Sequence, residues 1–223
     1  MRNDYLTSLN SLPYFDTSML QGLFPDVPKA ALNTYVSNWV KSEKIYRLLK
    51  GVYTTREAYL QFKSTNAYRE LIAIRLSVPA YLSTEYVLAK HEVLTEGVSS
   101  ITAVTLKERK DTTNILGNFI FRQITPTLFT GYIPKYFLQY EYYEATKVKA
   151  LFDFLYYRCL TLNERDLTPS LFEELRLNLD WLDPKDLKEF VTYVELHETN
   201  KTRKLYALLD TICTRYHSHH HVV

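Results

Sequence analysis

Lys29, Asn33, Ser37 and Lys41 recur at four-residue intervals. On a helix that spacing puts them along one side. Their chemistry is recognition rather than catalysis. Asn pairs bidentately with an adenine edge, and Lys reaches guanine or a phosphate oxygen. Lys44, Arg47 and Lys50 follow within nine residues. Between residues 28 and 56 only Glu43 opposes Lys29, Lys41, Lys44, Arg47, Lys50 and Arg56, a local net of +5. A basic, polar row beside further cations is the footprint of a double-stranded DNA reader.

Catalytic patterns are missing from the sequence. Gly22, Gly51, Gly97, Gly117 and Gly131 stand apart, so no phosphate-cradling loop can be built. Neither G-x-S-x-G nor H-E-x-x-H occurs. Asp183-x-Lys185 could mimic part of a nuclease set, but Asp183 reads better as the cap of a helix opened by Pro184. His91 is isolated and reads as a helix-surface residue. The tail His217-Ser218-His219-His220-His221 could take up metal adventitiously. No catalytic residue, metal site or cofactor is assigned, and the chain is not expected to be an enzyme.

The elements that must position the basic row are legible in order. Asp16-Thr17-Ser18 offers N-caps for a short helix over Met19–Leu23. Phe24-Pro25-Asp26-Val27-Pro28 stops it, since Pro donates no backbone N–H. Leu32, Val36, Trp39 and Val40 then form a core-facing stripe, with Lys29, Asn33, Ser37 and Lys41 opposite. Ile45–Leu48 and Val52–Thr55 flank Lys50-Gly51 as a hairpin. That order predicts a helix-turn-helix plus wing. Lys29, Asn33, Ser37 and Lys41 would face the groove, with Asn33 reading adenine. Lys44, Arg47 and Lys50 would hold phosphates.

The remaining chain reads as helices and strands. Residues 2–12 form a helix, 54–63 a crossing segment and 66–78 a helix ended by Pro79. Ser83 caps a helix over 84–90. Strands are expected at 101–106, 115–125, 128–132 and 137–143, with a charged turn at Lys107-Glu108-Arg109-Lys110-Asp111. Helices follow at 145–158, from Asp183-Pro184 onward, and at 201–216. The 162–198 stretch is acidic, with a net of −6.

Composition sets further bounds. With 223 residues the chain can build a sizeable core, and 46% hydrophobic with 23% charged residues is ordinary for a globular protein. A net charge of +2 excludes a nonspecific polycation. Cys159 and Cys213 lack paired spacing and suggest a reducing compartment. No apolar run approaches the ~20 residues of a membrane span, so no membrane partner and a cytoplasmic location are expected. Tyr132, Tyr136, Tyr140, Tyr142, Tyr143, Tyr156 and Tyr157 could stack on single-stranded bases, but half-buried strand and helix surface explains them better.

Five stretches stand out: Lys50-Gly51-Val52-Tyr53; Pro79–Leu88; Ile101–Thr105; Leu116–Arg122 with Phe129–Tyr132; and Glu144–Asp153. Together they resemble the AbiEi-type antitoxins of bacterial abortive-infection, type IV toxin–antitoxin systems. The likeness runs in order over about residues 15–160. The chain departs from that pattern at Val148, where the family often has Glu, and at His91-Glu92-Val93, where it often has Gly. The resemblance implies an N-terminal winged helix that represses its own operon. It also implies a C-terminal domain that counters a nucleotidyltransferase toxin, usually without a stable complex. Lys147 and Lys149, expected near the surface of their helix, are candidates for toxin neutralisation.

The expected fold is α+β: a winged helix-turn-helix over residues 1–60, then a mixed α/β antitoxin-type domain over 61–223. The alternative is an interaction module that binds the toxin directly, through the acidic 162–198 helices, with a winged helix that does not touch DNA.

Overall fold

The computed structural model describes residues 2–108 and 111–220, with the side chains of 2–4 and 215–220 left aside. Arg109, Lys110 and His221 therefore lie outside the described residues, as do the side chains of the other tail histidines. About half of the chain is helix and about a fifth strand, a mixed α+β composition.

The N-terminal elements are α1 (Arg2–Leu9), β1 (Phe15–Asp16), α2 (Thr17–Leu23), α3 (Lys29–Lys41), β2 (Ile45–Leu49) and β3 (Val52–Thr55). Asp16 caps α2 by accepting from the backbone N–H groups of Ser18 and Met19. Pro28 sits at the N-cap of α3 rather than inside its first turn. β2 and β3 form an antiparallel hairpin, and Gly51 at φ +86° makes its turn. β1, absent from the sequence reading, adds to β3 through Phe15 opposite Tyr53. Their rings stack 5.8 Å apart. Leu32, Val36 and Trp39 close a core with Leu6, Leu9, Phe15, Leu20, Ile45 and Tyr53, while Val40 is half-buried beside it.

The crossing segment at 54–63 is a helix, α4 (Arg56–Phe62), capped by Thr55 Oγ1. Its Ala58 and Phe62 belong to a second, larger core. That core is built on α5 (Asn66–Leu76), β4 (Ala80–Leu82), α6 (Thr84–Lys90), β5 (Ile101–Thr105), β6 (Thr112–Asn114) and β7 (Gly117–Gln123). It continues through β8 (Tyr132–Phe137), β9 (Tyr140–Ala145), α7 (Lys147–Thr161), α8 (Ser170–Glu174), α9 (Pro184–Leu196) and α10 (Asn200–His220). The sheet order is β6-β7-β5-β4-β9-β8. β5 runs parallel to β7 and antiparallel to β4; β4 meets β9 in parallel. All five β5 residues are buried, as expected of a central strand covered on both faces.

Two strand expectations shift. Residues 126–128 form a 3₁₀ turn, and the expected strands at 128–132 and 137–143 are instead the hairpin β8–β9. Its turn at Leu138 takes a positive φ of 52°, which alternation alone does not reveal. Ser83 does not cap α6: its hydroxyl donates to Asp153 Oδ2 at 2.7 Å. The Tyr86 N–H is satisfied instead by Thr102 Oγ1 of β5. Asp183 does cap α9, accepting from the N–H groups of Lys185 and Asp186 in a capping box. Among the described residues no helix is long and apolar enough to cross a membrane.

Candidate nucleic-acid interface

α3 separates its residues cleanly. Leu32, Val36 and Trp39 are buried, whereas Lys29, Asn33, Ser37 and Lys41 are all exposed. α3 contains no acidic residue. Ser37 Oγ donates back to Asn33 O, and Thr34 Oγ1 to Ala30 O, so these hydroxyls are occupied within the helix. The Asn33 amide makes no hydrogen bond among the described residues and keeps both donor and acceptor edges outward.

Lys44, Arg47 and Lys50 are likewise exposed on and beside the hairpin. Arg47 stacks over the Tyr53 ring at 5.8 Å, which limits its swing while leaving its donors free for oxyanions. The hairpin base is closed by Arg56 N–H donating to Lys44 O at 2.9 Å. The larger unit braces the hairpin. Leu48 is buried in the second core, and Asn114 Nδ2 donates to Leu48 O at 3.0 Å. Tyr68 OH donates to Pro13 O, tying α5 to the segment before β1. The seven candidate side chains are thus held by rigid elements on one small unit.

Lys147 and Lys149 do not form a common surface. Lys147 is half-buried, its Nζ 4.1 Å above the Trp181 ring. Lys149 is fully buried, which corrects the expectation that it lies near the surface. The helical spacing was right, but α9 covers that side of α7 with Phe190 and Tyr193. Lys149 Nζ instead meets Asp153 Oδ1 at 2.8 Å and donates to Leu128 O at 2.8 Å. Asp153 Oδ2 accepts from Tyr81 OH at 3.0 Å and from Ser83 Oγ at 2.7 Å. Burial raises the Asp153 carboxyl above its ordinary range, against the pull of Lys149, Ser83 and Tyr81.

A second polar network escaped the sequence reading. Glu70 and Glu144 are almost fully buried, and Lys90 Nζ bridges them at 2.9 and 2.5 Å. Tyr86 OH and Tyr142 OH each donate to Glu70 at 2.7 Å. Burial opposes ionisation of Glu144, but His91, Lys90 and Lys135 outweigh it and hold its carboxyl down at about 2. His91 Nε2 lies 3.8 Å from Glu144, so this residue is partly engaged rather than isolated. The sequence signal was there for Lys149 and Asp153, charges within the otherwise apolar run Val148–Tyr157, which demands partners.

The tyrosines of 132–157 largely pack and bond within the fold. Tyr132 lies against Tyr81 and Tyr143, and Tyr157 OH donates to Gln123 O. Cys159 and Cys213 are free and buried, and burial pushes the Cys159 thiol up to about 11. No group of three or more His, Cys, Asp or Glu among the described residues could hold a metal ion.

No protein-family model matches the chain, and no curated protein matches it.

Proposed function

We propose that residues 1–60 are a winged helix-turn-helix that binds double-stranded DNA, with α3 in the major groove and the β2–β3 hairpin as the wing. In this reading the chain is a DNA-binding antitoxin of a type IV toxin–antitoxin system. It represses its own operon and counters a nucleotidyltransferase toxin, as part of abortive infection.

One observation carries the DNA-binding reading. Lys29, Asn33, Ser37, Lys41, Lys44, Arg47 and Lys50 are all exposed on a helix without acidic residues and the hairpin that follows it. An outward Asn amide flanked by cations suits base readout framed by phosphate contacts. The net charge of only +2 for the whole chain makes this concentration of charge local.

The antitoxin reading rests on the resemblance. The resembling stretches meet in the fold. Tyr81 and Ser83 come from one, Lys149 and Asp153 from another, and they converge on one carboxylate. Gly131, from a third, lies where a Cβ would come 2.9 Å from Lys149 Cγ. Because Lys149 is buried, it serves this unit as a scaffold, and Lys147 remains the accessible candidate for toxin neutralisation.

The test is a footprint of the full chain on its own promoter, paired with growth rescue against a nucleotidyltransferase toxin, should the neighbouring gene encode one. A protected operator and rescue are expected. An unprotected promoter contradicts the DNA-binding reading, and absence of rescue contradicts the antitoxin reading.

A further inference from the structure

A cleft of about 380 Å³ opens between the 94–100 loop, β7, α7 and α8. A recess of about 90 Å³ adjoins it and shares Glu85, Arg122, Phe154 and Arg158 as walls. We infer that this cleft binds a small organic oxyanion, a carboxylate or a phosphate monoester. The inference is independent of the DNA-binding reading.

Three guanidiniums line the cleft, and two are already paired. Arg122 Nη2 meets Glu85 Oε1 at 2.9 Å, and Arg176 Nη1 meets Glu96 Oε1 at 2.6 Å. Glu174, the third carboxylate of the lining, accepts from Ser170 Oγ at 3.2 Å. Arg158 has no carboxylate partner among the described residues. Its guanidinium carbon lies 5.1 Å from the Phe154 ring centroid, on an exposed side chain. A guanidinium without a carboxylate partner keeps the donor fork that grips carboxylate or phosphate bidentately.

The Arg122–Glu85 ion pair forms a fixed polar wall beside Arg158. Ile120 and Phe154 give the carbon skeleton an apolar surface. The size is within the range of small-molecule sites, about 300–1,000 Å³.

The test uses the full chain and two probes with one carbon skeleton, glycerate and glycerol 3-phosphate, with glycerol as the control. Ligand-observed NMR and titration calorimetry report binding. At least one oxyanion binds saturably and glycerol does not; which one binds identifies the oxyanion. R158Q weakens that binding by about tenfold or more, the loss of a charged hydrogen-bond pair, and R158K retains part of it. A thermal melt confirms that R158Q is folded. Saturable binding by neither probe, or equal binding by wild type and folded R158Q, overturns the inference. So does a probe-soaked crystal structure with no probe beside the Arg158 guanidinium.

Discussion

Lys149 Nζ lies 2.8 Å from Asp153 Oδ1, one helical turn apart, with neither side chain exposed. An ion pair removed from water this completely is held by its neighbours as much as by its own attraction. Tyr81, Ser83 and the Leu128 carbonyl supply those neighbours. K149M strands a buried carboxylate and should cost about 3–5 kcal/mol of stability in urea unfolding. Replacing both residues by apolar ones, K149M with D153L, should recover much of that loss. A K149M penalty under about 1 kcal/mol would mean that the pair is not buried as described.

The N-terminal unit was readable because each of its signals is local. Asp16, the Pro25–Pro28 stop, the Leu32–Val36–Trp39 stripe and the Lys50-Gly51 turn all act over a few residues. The C-terminal sheet was readable only in its apolar strands. Its order, β6-β7-β5-β4-β9-β8, joins segments far apart in the chain, and nothing in a strand names its neighbour. Lys149 shows the same limit at one residue. Its helical phase was correct, but whether a phase is wet depends on α9, which begins 35 residues later. Ser83 reads as a cap because it precedes a helix, but its side chain is turned to donate to Asp153 and its oxygen accepts from no first-turn N–H.

Gly131 adopts φ +76°, and a Cβ there would lie 2.3 Å from Tyr193 OH. G131A therefore combines left-handed backbone strain with overpacking against α9. The expected cost is about 2–4 kcal/mol, read from urea unfolding. G97A, at a site with nothing within 4 Å of the added Cβ, serves as the control and should be near neutral. Equal stability of the two variants would remove the close approach of Tyr193.

Glu144 makes acid stability directional. Its folded-state carboxyl is held at about 2, below the ordinary 4.5, so the folded state favours the charged form. That contribution is complete above about pH 4.5 and drains as the pH falls toward about 2. E144Q should lower stability at neutral pH and flatten the pH dependence between these values. An unchanged acid slope in E144Q would contradict the network with Lys90, Lys135 and His91.

Asn33 offers an uncommitted amide in the Lys29–Ser37–Lys41 row on the exposed side of α3. If it reads adenine, N33A should cost about 1–3 kcal/mol on the operator and relax preference at a single base position. Binding to unrelated DNA should hardly change. A selection for preferred sites with the variant protein checks this, and an unaltered site preference would assign Asn33 to solvent.

The most direct measurement is the salt dependence of promoter binding by the full chain and by the K44A/R47A/K50A variant. If the hairpin holds about three phosphates, the variant should bind more weakly, with a log–log slope shallower by roughly 2.7. Identical affinity and slope in a folded variant would contradict a wing on DNA. No measurable promoter affinity in the wild-type chain would contradict the account at its centre.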